Sequence, residues 1–230
     1  MTDIWKIALA IIMIYAIPSA FVYFKQSSLI YYPDLAGRNI TATPENIGLK
    51  FDDVEFFTED RIKLHGWFIP VREEKGVLLF FHGNGEIASD YDAIGPVYNN
   101  HGISFLVVDY RGYGQSTGLP TASNLLSDAH TAFREVCRWL EGQGRTGLII
   151  IMGRSLGSVP ALEICSSYQN EIDGLILDSG FARTVPLLDR LGVATETLGI
   201  SEADGFANFG KIRDIGKPTL IINGQNDDII

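Results

Sequence analysis

Five short apolar runs constrain this chain more than any other feature. They read GVLLFFHG (76–83), ISFLVVDY (103–110), GLIIIMG (147–153), GLILDSG (174–180) and PTLIING (218–224). A strand that is apolar on both faces needs cover on both, so such runs suit the central strands of a parallel sheet sandwiched by helices. The segments between them supply the helices. Ser123 to Glu141 carries Leu125, Leu126, Ala129, Ala132, Phe133, Val136, Cys137 and Leu140 at three- and four-residue spacing, one face of an amphipathic helix. Ser123 is the expected cap and Gly142 the expected stop. A second helix is expected over 156–168 and a weaker one over 89–100. VEFFT (54–58) and LHGWFIP (64–70) read as a strand pair across the polar Glu59-Asp60-Arg61 turn. Residues 181–217 read as helix plus excursion, where loops shape a pocket. Alternating strands and helices predict an α/β fold with a mostly parallel sheet and helices on both faces.

The 230 residues, 46% hydrophobic, suffice for one domain with a short appendage. The appendage is amino-terminal. Ile7 to Phe24 is uncharged and bracketed by Lys6 and Lys25; as a helix it would reach roughly 27 Å, near the ~30 Å of a hydrocarbon core. The expectation is a single-pass membrane anchor over 1–25, a connector over 26–50 and a catalytic domain over 51–230. A cleaved secretory signal ending after Ala20 is the alternative. The net charge of −10 argues against a nucleic-acid partner, which needs a basic face. Cys137 and Cys165 fall at apolar helix positions and read as buried free thiols. No Cys/His cluster offers a metal site.

The chemistry sits in three turns. In Gly153-Arg154-Ser155-Leu156-Gly157 the glycines remove side chains that would clash in a tight strand-to-helix turn, so Ser155 can stand at its apex as a nucleophile. The helix that follows points its positive end at the same spot, and the Leu156 amide can donate to an oxyanion. In FFHGNGE (80–86) the Asn84 amide is the candidate second donor, with His82 a ring that pins the loop. DYRGYGQSTG (109–118) supplies shape, Arg111 bracing the sheet edge. A rival reading takes Gly83-Asn84-Gly85-Glu86-Ile87-Ala88, with Asp109 further on, as a dinucleotide-binding turn.

HGNGE, DYRGYGQSTG, GRSLGS and LIINGQNDDII, in this order, resemble the α/β-hydrolase superfamily over roughly residues 26–230. The stretch QSSLIYYP behind an apolar helix is similar to its membrane-anchored members, which include protein depalmitoylases. The resemblance implies a serine hydrolase of ester, thioester or amide bonds, acting on a small-molecule or acylated-protein substrate without a cofactor. It also implies that the turn after TLIING carries the triad acid, at Asp227 rather than Asp228, with Asp178 as the position other members use. The order in this fold is serine, acid, histidine, yet His65, His82, His101 and His130 all precede Ser155. The expectation is therefore a chain shortened at its carboxyl end, lacking the triad base and the last strand and helix, impaired in turnover and exposing the strand around Leu220. A membrane-tethered, non-enzymatic binding protein of the same fold is the alternative.

Overall fold

A computed structural model describes residues 13–14, 31–33, 35, 40 and 42–227. The strands are β1 (Asp52–Phe57), β2 (Lys63–Ile69), β3 (Gly76–Phe81), β4 (Ile103–Val108), β5 (Leu148–Arg154), β6 (Gly174–Asp178) and β7 (Thr219–Ile222). The helices are α1 (Gly95–Asn99), α2 (Ala122–Gly142), α3 (Ser158–Ser167), α4 (Thr184–Arg190), α5 (Thr195–Leu198) and α6 (Asn208–Asp214). One sheet runs β1-β2-β4-β3-β5-β6-β7. The expected pair β1–β2 is antiparallel, as is β2–β4; the rest of the ladder is parallel. This is the α/β arrangement the apolar runs called for.

Burial explains the runs. Leu79, Phe81, Leu106 and Val108 pack on one side with α2 and α3, while Leu78, Phe80, Phe105 and Val107 pack on the other with Tyr91 and Tyr98. Each such side chain contributes about 1.5–3 kcal/mol by leaving water. The rule fails at β7, where Leu220, Ile221 and Ile222 are 54%, 64% and 45% exposed. Among the described residues β7 has a strand neighbour on one side only, β6, and no helix covers it as α2 and α3 cover the centre.

Two local expectations need correction. The cap of α2 is Thr121, not Ser123: its Oγ1 accepts from the Asn124 amide at 3.2 Å while Asn124 Oδ1 accepts from the Thr121 amide at 2.6 Å. Gly142 is the last helical residue and Gln143 the cap. The weak helix over 89–100 is divided into a 3-10 turn, Ala88–Tyr91, and the short α1, because Asp90 closes a box on the Ile87 amide and Pro96 restarts the helix. Cys137 and Cys165 are free and lie on α2 and α3, and burial pushes their thiols up to about 11 and about 12.

The expected anchor lies outside the described residues apart from Met13 and Ile14, which are helical and exposed. Among the described residues no helix is long and apolar enough to cross a membrane.

The chain steps from β3 outward to β4 and then back across β3 to β5. That reversal falls at the carboxyl ends of β3 and β5, the place where open α/β sheets take ligands.

Candidate active site

Strand β5 ends at Arg154 and turns at once through a 3-10 turn, Ser155–Gly157, into α3. Ser155 has φ +48°, the left-handed region that costs an L-residue about 1–2 kcal/mol. Packing holds it there. A Cβ on Gly157 would lie 2.0 Å from the Phe81 carbonyl oxygen, and one on Gly153 would lie 2.1 Å from the Gly157 oxygen. Glycine alone fits at both places, and the turn is pressed against the end of β3. Ser158 Oγ donates to the Ser155 carbonyl at 2.7 Å, and the Leu156 side chain is buried in the core. Ser155 itself is half-buried, and α3 directs its positive end toward it.

The facing loop runs from His82 to Glu86. His82 is fully buried, with Nδ1 2.9 Å from the Gly83 carbonyl and the Tyr110 ring 4.2 Å away. Burial pushes its pKa down, so it packs as a neutral ring. The Gly83 amide donates to Glu86 Oε2 at 2.7 Å. Asn84 Oδ1 accepts from the Tyr113 hydroxyl at 2.6 Å and from the Tyr32 amide at 3.1 Å. A Cβ on Gly85 would meet Leu35 Cδ1 at 3.3 Å. The connector segment around Tyr32 and Leu35 thus lies directly against this loop.

Arg154 stands beside the turn with Nε 3.8 Å from both Glu86 Oε1 and Asp178 Oδ2. Burial opposes its charge, but Glu86, Tyr91 and Asp178 outweigh that and raise its pKa. Arg154, Asp178 and Ile222 are in register across β5, β6 and β7. Asp178 therefore lies one strand from the Ser155 turn. Asp227 lies beyond the second strand, in a turn where its amide donates to the Gly224 carbonyl at 3.3 Å. Asp228 lies outside the described residues.

No histidine reaches Ser155 among the described residues. His65 on β2 sits between Asp53 and Asp109, and His130 on α2 bonds Glu163 and Tyr168. His101 precedes β4 and is exposed at the opposite edge of the sheet. Arg111 braces the fold as expected, bonding Asp60 at 2.6 Å and Asp128 at 2.7 Å. The dinucleotide reading has no room: Asp109 is 2% exposed and already accepts the Ala88 amide at 2.7 Å. Among the described residues no group of His, Cys, Asp or Glu is arranged to hold a metal. Asp109, Tyr113 and Glu86, which set this loop, were legible only as members of turn motifs.

Residues 72–198 match the family model described as serine aminopeptidase, S33. The chain is 36% identical to human alpha/beta hydrolase domain-containing protein 17B over 68% of its own length and 51% of that protein's. It is 29% identical, over 99% of its length and 82% of the other's, to a Saccharomyces cerevisiae protein named as an uncharacterized membrane protein. An esterase of Pyrococcus furiosus shares its fold, with a TM-score of 0.65 at 24% identity over 87% of this chain and 80% of that one.

Proposed function

The chain belongs to the serine aminopeptidase S33 family of α/β-hydrolases, and from that premise we propose that Ser155 is the nucleophile of a serine hydrolase of ester, thioester or amide bonds. The observation that carries this reading is the φ of +48° at Ser155 in a turn seated on the Phe81 carbonyl. Strain of this kind persists where the surrounding structure fixes a functional geometry. Ser155 Oγ would attack the substrate carbonyl. A carbon–Oγ bond forms, the Oγ proton passes to a base, and the oxyanion is met by the amides of Leu156 and Asn84. Collapse expels the alcohol, thiol or amine and leaves an acyl-serine for water to cleave. Asp227 would orient the base and stabilise its charged form; Asp178, held by Arg154, is the less available of the two carboxylates.

No imidazole among the described residues is in place as that base. The 230-residue chain is therefore expected to turn over slowly, at the residual ~10³–10⁴-fold over water left by an oxyanion hole and binding. The substrate class carried by the family resemblance is a small-molecule ester or an acylated protein. The uncharged Ile7–Phe24 stretch supports a single-pass membrane anchor. Solution imidazole tests the reading. It should raise phosphonylation of Ser155 by a fluorophosphonate probe, with loss of fluoride, at least tenfold, with no labelling in Ser155→Ala. Labelling at another residue, or none with imidazole present, would refute the assignment.

A further inference from the structure

Behind the loop that carries Asn84 lies a buried charge cluster that the proposed chemistry does not use. Asp109 follows β4 and is 2% exposed. Its Oδ1 accepts the Ala88 amide at 2.7 Å and lies 3.6 Å from His82 Nε2, which has no hydrogen-bond partner. Its Oδ2 is 3.1 Å from His65 Nδ1 and 3.5 Å from the Gln115 amide. The other ring nitrogen of His65, Nε2, is 3.0 Å from Asp53 Oδ1, which also accepts from Trp67 Nε1 at 2.9 Å. Ser116 Oγ links the two main chains, accepting from the His65 amide and donating to the Asp109 carbonyl, each at 2.8 Å.

A neutral imidazole has one N–H, so two carboxylates at hydrogen-bonding distance from its two nitrogens are both satisfied only by the imidazolium. A buried carboxylate without a compensating charge is costly. We infer that His65, held as an imidazolium between Asp53 and Asp109, is a positioning residue for the Ser155 chemistry. Its charge compensates the buried Asp109 carboxylate, and that carboxylate fixes the Asn84 loop through the Ala88 amide. The link to catalysis rests on the hydrolase reading above; the charge state and the loop's dependence on it do not.

The surroundings agree. Glu55, opposite His65 on β1, is bonded to Lys63 instead. From β4 only Asp109 faces the ring, and from the end of β3 only His82, behind Asp109. Burial would lower the pKa of His65, but Asp109 and then Asp53 outweigh it and raise it. A group with a raised folded-state pKa stabilises below its unfolded value, near ~6.5 for histidine. That contribution is lost as pH rises through the folded-state value. The loop is therefore expected to loosen on the alkaline side.

Imidazole 15N–1H spectra of the full chain test this directly. His65 should show two N–H groups at pH 7, with its midpoint above that of a free histidine. A single N–H at pH 7 would overturn the inference. Amide exchange of residues 83–88 should accelerate at least tenfold more than that of β5 as His65 loses its proton. Asp53→Asn removes a carboxylate that is 62% exposed and leaves the buried packing intact. It should lower both the His65 midpoint and the pH of loop loosening together; loop exchange that ignores the shifted midpoint would also sink the inference. His65→Gln, if folded, should lose the alkaline transition. The imidazole-assisted labelling of Ser155 should decline along the same titration. Absence of that labelling at every pH strikes the hydrolase reading, while the ring spectra and loop exchange still decide the role of His65.

Discussion

Gly157 has no room for a side chain, and its neighbours there are backbone atoms that cannot rotate away. Gly157→Ala is expected to cost about 3 kcal/mol, the upper end for overpacking. At this chain length that lowers Tm by roughly 6–12 °C. Gly142→Ala is the control: its added methyl meets nothing within 4 Å, and at the end of α2 it should gain about 0.5–1 kcal/mol. Differential scanning calorimetry of the two variants reads both signs. The positions of Gly153 and Gly157 are visible in the sequence as G-x-S-x-G. The contact that makes Gly157 indispensable is not, since it depends on a carbonyl some 76 residues earlier in the chain.

At the scale of elements, the continuous apolar runs predict β3 to β6 nearly to the residue, because each must be covered on both faces and few residue types satisfy that. Caps are harder to read. Thr121 and Ser123 are both good capping residues by type, and the choice falls to Thr121 because Asn124 completes its box. Thr121→Ala should destabilise by about 1 kcal/mol, measured by urea denaturation. Ser123→Ala, whose hydroxyl touches only Thr121 Oγ1 at 3.2 Å, should stay within ~0.5 kcal/mol of wild type. Charge clusters are less legible again. His65, Asp53 and Asp109 are 12 and 44 residues apart in pairs, and antiparallel pairing of β1 with β2 and of β2 with β4 is what brings them together.

At the scale of the molecule, and among the described residues, the sheet is well covered at its centre and bare at β7. A displayed strand with Leu220, Ile221 and Ile222 in water is a template for pairing with another copy. The chain is expected to self-associate with rising concentration, and Ile221→Lys should suppress this in light scattering without changing Tm by more than about 2 °C. A variant that associates as strongly as wild type would place the contact elsewhere. Fold class was readable from the strand runs and the tight turn at Ser155 from its glycines, but the bareness of β7 follows from which elements stand beside it, which no local pattern encodes.

The seat of Gly157 on the Phe81 carbonyl has one more consequence. The serine turn is seated on the residue that leads into the facing loop, so the two share one backbone footing at Phe81 and His82. On the proposed reading, the amides of Leu156 and Asn84 stand on the two sides of that footing. A shift of the Phe81 backbone would therefore disturb both sides at once.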